Sequence, residues 1–206
     1  MKNTNYPLTY NQMSAGIGLA YNTMDHRVQG KNAGTTTHKS SAELGLHQLF
    51  ETQLKDIYWA EQALVKAIPI MINHATSTEL KSTLKTHLLE TRQHINSCMD
   101  VFETIDKLPD TDVCEAMKSL IEEAKVLMNE FDSGPTRDAA IICAAQKIEH
   151  YEMATYGTLV SLAGFLGETE AEFILEEILD EEKNTNTILS ELSMNIFKID
   201  ASKEAC

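Results

Sequence analysis

Six side chains in this sequence have the types and spacing to hold cations together: Glu61, Glu90, His94, Glu149, Glu152 and Glu182. Each falls in a stretch with helical apolar periodicity, where successive residues turn by about 100°. Glu61 stands four residues after Ile57 and three before Leu64, inside the stripe Leu46, Phe50, Ile57, Leu64, Ile68, Met71. Glu152 stands four after Ile148, inside Ile141, Ala145, Ile148, Thr155, Leu159, Leu162, Leu166, and Glu149 sits at the edge of that stripe. Glu182 stands four after Ile178, inside Ile174, Ile178, Leu189, Leu192, Ile196, with Thr185 beside it. Another stripe, Leu80, Leu84, Leu88, Thr91, Ile95, Cys98, Phe102, is flanked by Glu90 and His94, one turn apart. His87 lies between that pair and the stripe.

An ionised carboxylate in an apolar interior costs several kcal/mol unless it is paired or bound to a cation. Any one of these glutamates alone reads as a solvated residue or a surface ion pair. Glu61, Glu152 and Glu182 together break three stripes at matching depth, which asks for a common cause. Glu61 and Glu90 are 29 residues apart and Glu152 and Glu182 are 30, so two helical hairpins of equal span would bring four groups together. Lys and Arg are scarce on these inner faces. Hard cations accept carboxylate and imidazole ligands jointly, so a dinuclear site bridged by two glutamates fits. Glu90 and His94 fit a solvent-facing pair equally well. His47, His74 and His150 lie off the stripes or near a helix end and read as surface residues. The methionines read as core filler.

The elements that must carry these groups are helices. The first is expected from about Glu43 to His74, with a kink at Pro69. Thr76-x-x-Glu79 reads as a capping box opening a helix to about Asp106, and Asp112-x-x-Glu115 as the start of a shorter helix ending near Phe131. After Ser133-Gly134-Pro135, a helix is expected from about Thr136 to Leu166, stopped by Gly167. Thr169-x-x-Glu172 reads as the next capping box, opening a helix that ends near Lys198. Two hairpins joined by a long mid-chain crossover define an all-α, ferritin-like four-helix bundle with an additional short crossover helix. Residues 1–42 are rich in Asn, Thr, Gly and Ser and read as a flexible extension, residues 43–198 as the bundle, and 199–206 as a tail.

The chain has 206 residues and 43% apolar content, enough for one buried core. A net charge of −14 argues against nucleic acid or an anionic membrane as partner. No apolar run approaches the roughly 18 residues of a membrane span, and Met1 to Tyr10 lack the pattern of a secretory leader. Cys98, Cys114, Cys143 and Cys206 are too scattered for a disulfide framework, so reduced thiols and a cytoplasmic location are expected.

Residues 44–197 resemble the YciF/YciE-like stress-protein family of the ferritin-like superfamily. The segments that carry the resemblance are LFETQLKDIYWAEQA (Leu49 to Ala63), HLLETRQHI (His87 to Ile95), RDAAIICAAQKIEHYEMATYGTLVSL (Arg137 to Leu162) and ILDEEKN (Ile178 to Asn184). The resemblance implies a homodimer or higher homo-oligomer and a di-iron or di-manganese centre. By motif position it supports Glu61, Glu90 with His94, Glu149 with Glu152, and Glu182 as ligands. In that scheme Glu61 is terminal, Glu90 and Glu182 bridge, and His94 supplies a nitrogen. Relatives often carry Glu where Leu89 stands and Asp where Asn186 stands, departures that put the ligands near those two positions in question. Tyr58, Tyr151 and Tyr156 read as packing residues or hydrogen bonders beside the ligands. The implied activity is iron or reactive-oxygen handling. The competing expectation is a non-enzymatic stress or assembly scaffold whose extension, residues 1–42, binds a protein partner.

Overall fold

The computed structural model describes the backbone of residues 40–203 and side chains up to residue 195. The expected flexible extension falls almost wholly on residues 1–39, outside the described residues. Five helices follow in order: α1 (Ser41–His74), α2 (Thr78–Thr104), α3 (Glu115–Glu130), α4 (Pro135–Leu166) and α5 (Thr169–Lys203). Among the described residues there are no strands. This is the expected all-α bundle with a short crossover helix.

Helix ends are fixed by local hydrogen bonding, and here the sequence reading slips by a residue or more. Ser40 caps α1, its Oγ accepting from Glu43 N at 3.1 Å. The helix therefore starts ahead of Glu43, and Pro69 lies inside it without ending it. The cap of α2 is Ser77, not Thr76, with Leu80 N donating to Ser77 Oγ at 3.2 Å. Thr76 is unavailable because its N–H and hydroxyl both donate to Asp138 on α4, at 2.6 and 2.5 Å. Cys114 rather than Asp112 caps α3, its Sγ accepting from Met117 N. Thr169 is the first residue inside α5, where Glu172 N donates to the carbonyl of Glu168. Gly167 ends α4 with φ of 77°, a left-handed conformation that favours glycine. Backbone helix continues to Lys203, past the expected end near Lys198.

Packing places α1 beside α2 and α4, and α5 beside α2 and α4, so the four long helices form a square in the order α1, α2, α5, α4. The short turns make each hairpin antiparallel. Asp138, near the start of α4, also accepts from Ser77 N at 2.8 Å at the α1–α2 turn. The helix α4 thus starts where α1 ends and runs back along it. The crossover helix α3 packs on α4 and α1. Covered by three neighbours, α4 buries residues around much of its circumference, including Ala140, Ile141, Ile142, Ala144, Ala145 and Ile148.

Phe50, Leu54, Ile57, Leu64, Leu80, Leu84, Phe102, Ile141, Leu159 and Leu175 are almost completely excluded from solvent. Each such side chain stabilises the fold by roughly 1.5–3 kcal/mol. The Asp138 carboxylate is 3% exposed and holds the α1–α2 turn through three hydrogen bonds. We expect Asp138→Ala to destabilise the fold by about 2–4 kcal/mol in urea unfolding, because Thr76 and Ser77 lose a charged acceptor. Asp138→Asn should recover part of that loss.

Candidate metal centre

The glutamates in the stripes of α1, α4 and α5 turn inward, as their positions imply. Glu61 (α1), Glu152 (α4) and Glu182 (α5) are 0% exposed, and Glu149 (α4) is 1% exposed. Two imidazoles from α2 complete the cluster, His87 and His94, both buried. The sequence puts His87 between the Glu90–His94 pair and the stripe, and it is not among the expected ligands. Its signal was present in the spacing Leu84, His87, Thr91, His94, Cys98, a 3-4-3-4 repeat that is the true inward line of α2. The expected stripe shares Leu84, Thr91 and Cys98 with this line and departs from it at Leu88 and Ile95, which are only partly buried.

The ligand-type atoms form two groups joined at Glu182. One comprises Glu61, His94 and Glu182, and the other His87, Glu149, Glu152 and Glu182; within each group the atoms lie within 4.8 Å of one another. Donors on opposite sides of an ion bound at about 2.1–2.4 Å are separated by roughly 4–5 Å. Glu90 belongs to neither group. It is half-buried at the α2–α5 seam, where Thr185 Oγ1 donates to its Oε2 at 3.4 Å.

The hydrogen bonding of these buried groups is incomplete. His94 Nδ1 lies 3.0 Å from Glu182 Oε1 and 3.5 Å from Glu61 Oε1, yet no contact is aligned as a hydrogen bond to that nitrogen. Glu61 Oε2, Glu149 Oε2, His87 Nδ1 and both oxygens of Glu152 and of Glu182 are also buried without a hydrogen-bond partner. Native interiors leave few such groups unpaired, and here they cluster in one place and face one another. This donor set suits a hard or borderline cation. The outer atoms of the ligands are better served. His94 Nε2 donates to Glu181 Oε2 at 2.7 Å, an arrangement that orients a ligating imidazole. The Tyr156 hydroxyl donates to Glu61 Oε1 at 2.5 Å, with Cys98 Sγ 3.6 Å from the same hydroxyl.

Proton affinities record the same crowding. Burial first, then the charge of Glu182, pushes Glu149 and Glu152 well above the ordinary carboxylate range. Burial raises Glu61 as well, partly opposed by His94. Burial also raises Glu90, reinforced by Glu181. Glu182 moves the other way, because His94 and His87 outweigh the effect of its burial. Burial lowers His87. It acts on His94 too, but Glu182 and Glu61 overcome it and push that imidazole up to about 11.

The two departures from the resembling family act differently. Leu89 is 65% exposed, so a glutamate there would face solvent and not the cluster. Asn186 Oδ1 is buried without a hydrogen-bond partner. None of the described helices is long and apolar enough to cross a membrane.

A square of four long helices, a mid-chain crossover and an inward Glu or His on every long helix define a ferritin-like bundle. The chain belongs to the DUF892 family, a domain of unknown function whose family model matches residues 45–202. It is 37% identical over 161 residues to the protein YciF of Escherichia coli K12, covering 78% of this chain and 97% of YciF. The crystal structure of that stress protein aligns with a TM-score of 0.72, over 74% of this chain and 97% of YciF. YcfI of Rhodopseudomonas palustris, proposed to be a structural protein, is 40% identical with a TM-score of 0.69, over 70% and 92% of the two chains. A Xanthomonas campestris protein aligns at 25% identity and a TM-score of 0.62, over 78% and 99%.

The proton affinities have a measurable consequence for metal-free protein. Groups raised on folding (Glu61, Glu90, Glu149, Glu152 and His94) take up protons when the chain folds. The stability they contribute is complete below their unfolded values and is lost as pH rises through their folded values. His87 and Glu182, lowered on folding, act in the opposite sense. The raised groups are more numerous, so chelated protein should melt at higher temperature near about pH 5.5 than near about pH 8. Differential scanning calorimetry checks the sign, and a midpoint that climbs across this window would contradict it.

Proposed function

We propose that this chain is a stress-response protein that binds a pair of iron or manganese ions within its helical bundle. The observation that carries the reading is the set of buried, mutually facing and unpartnered ligand atoms on α1, α2, α4 and α5. Four carboxylates against two imidazoles leave an excess of negative charge even with both imidazoles protonated. Cations neutralise that excess and fill the empty coordination of the oxygens at once.

In this reading Glu61 and His94 hold one ion, His87, Glu149 and Glu152 hold the other, and Glu182 is shared. Bound iron or manganese would supply one-electron redox chemistry suited to Fe(II) oxidation or peroxide removal. The protein's part is to orient and to keep dry. Glu181 fixes the orientation of the His94 ring, Tyr156 fixes the Glu61 carboxylate, and the surrounding aliphatic core excludes water. The free thiols of Cys98, Cys114 and Cys143 suit a reducing compartment such as the cytoplasm.

The scaffold reading is favoured by one observation, the role proposed for the Rhodopseudomonas palustris relative. Metal content separates the two. Protein purified without chelator and reconstituted with Fe(II) or Mn(II) should carry about two equivalents per chain. His87→Ala should drop this toward about one. Glu61→Gln combined with Glu152→Gln should abolish binding and the metal-dependent rise in melting temperature. Less than about half an equivalent after reconstitution, with the double variant as stable as the parent or more so, supports the scaffold.

A further inference from the structure

We propose that cations reach the centre through the seam between α2 and α5, with Glu90 as the carboxylate that receives them at its mouth. The inference rests on the metal-binding reading above and concerns how that site is filled. The crossover helix α3 packs on α1 and α4, so the α2–α5 seam is the side of the square opposite to it. A cleft of about 120 Å³ opens there, lined by Thr83, Thr86, Glu90, Asn184 and Thr185 among others. That is room for several waters and so for a partly hydrated ion.

Oxygen atoms lead inward from the mouth. Glu90 is half-buried, and Thr185 behind it is 4% exposed. The Thr185 hydroxyl donates to Glu90 Oε2 at 3.4 Å. Thr185 follows Glu182 by three residues on α5 and so shares its face. Glu182 is the residue common to both groups, so Glu90 and Thr185 lie on the side of the centre that Glu182 occupies. Glu181, half-exposed on the same stretch of α5, adds a second negative charge that Glu90 feels. Its carboxylate is held by His94 and is less free to follow an arriving ion. Glu90 has only a long bond to one hydroxyl among its described hydrogen bonds, which suits transient binding better than permanent coordination.

An ion drawn to a focused negative mouth arrives faster, by roughly 10-fold or more, without being bound more tightly at equilibrium. The test is stopped-flow uptake of Co(II) by metal-free full-length protein, followed by its visible absorption, with final metal content measured separately. Glu90→Gln should load at about a tenth of the parent rate and reach the parent content. Thr86→Trp, which obstructs the cleft while leaving the carboxylate in place, should slow loading likewise. Glu130→Gln on α3, away from the seam, should load at the parent rate. Parent rates in both seam variants overturn the proposal. A Glu90→Gln protein with reduced final content also overturns it, because Glu90 would then be a ligand, and the metal-binding reading would survive. If the parent protein takes up no Co(II), Fe(II) or Mn(II), that reading fails first and this inference fails with it.

Discussion

Four carboxylates and two imidazoles, all buried and facing one another, are the constraint around which this bundle is arranged. Each carboxylate forced to ionise there costs several kcal/mol, and like charges at this distance add to the cost. A protein of ordinary stability, on the order of 5–15 kcal/mol, cannot carry four such groups without compensation. Two forms of compensation are visible. Burial raises the proton affinity of Glu149 and Glu152 well above the ordinary carboxylate range, and the imidazoles lower that of Glu182. Neither supplies hydrogen-bond donors to Glu61 Oε2, Glu149 Oε2 or the four oxygens of Glu152 and Glu182.

The rest of the fold tolerates this interior by being regular elsewhere. Four long helices give a core of fully excluded aliphatic and aromatic side chains above and below the cluster. The hairpin turns are short and individually tied: Gly167 by its left-handed backbone, and the α1–α2 turn by the carboxylate of Asp138 reaching across from α4. That cross-tie sets the axial register of α4 against α1, and register is what brings Glu61 level with Glu149 and Glu152. At the other hairpin the flexible Glu172 carboxylate lies over Gly164, its Oε1 2.5 Å from where a Cβ would sit.

How much of this was legible in the sequence depended on the contrast between a residue and its stripe. Glu61, Glu152 and Glu182 interrupt runs of Ile and Leu, and a charge in such a run is conspicuous. On α2 the inward line itself contains Thr91, His87 and His94, so its apolar signal is weak and the half-buried Leu88 and Ile95 stand in the expected stripe in place of the two imidazoles. His87 and His94 are seven residues apart and so return to nearly the same face. The caps were misplaced for a different reason. Thr76 and Ser77 are chemically equivalent candidates, and the choice between them is made by Asp138, 62 residues away from Thr76. Local pattern carries no trace of that contact.

The two sides of the centre are chemically unlike, and the difference follows from which helix covers which seam. Toward α1 and α4 the neighbours are Tyr156, Cys98 and, further out, Tyr151 bonded to Asp56 and Cys114. The first pair is dry, and burial pushes both the Tyr156 phenol and the Cys98 thiol above their ordinary values, which keeps them protonated. Toward α2 and α5 the neighbours are Glu90, Glu181 and Thr185, and the first two reach solvent. The crossover helix could not lie over this second side without burying two more carboxylates. Over α1 and α4 it lies instead beside a single further carboxylate, Asp56, which accepts from the Tyr151 hydroxyl. The covered side thus asks for less desolvation of charge than the open one, where Glu90 and Glu181 keep contact with water.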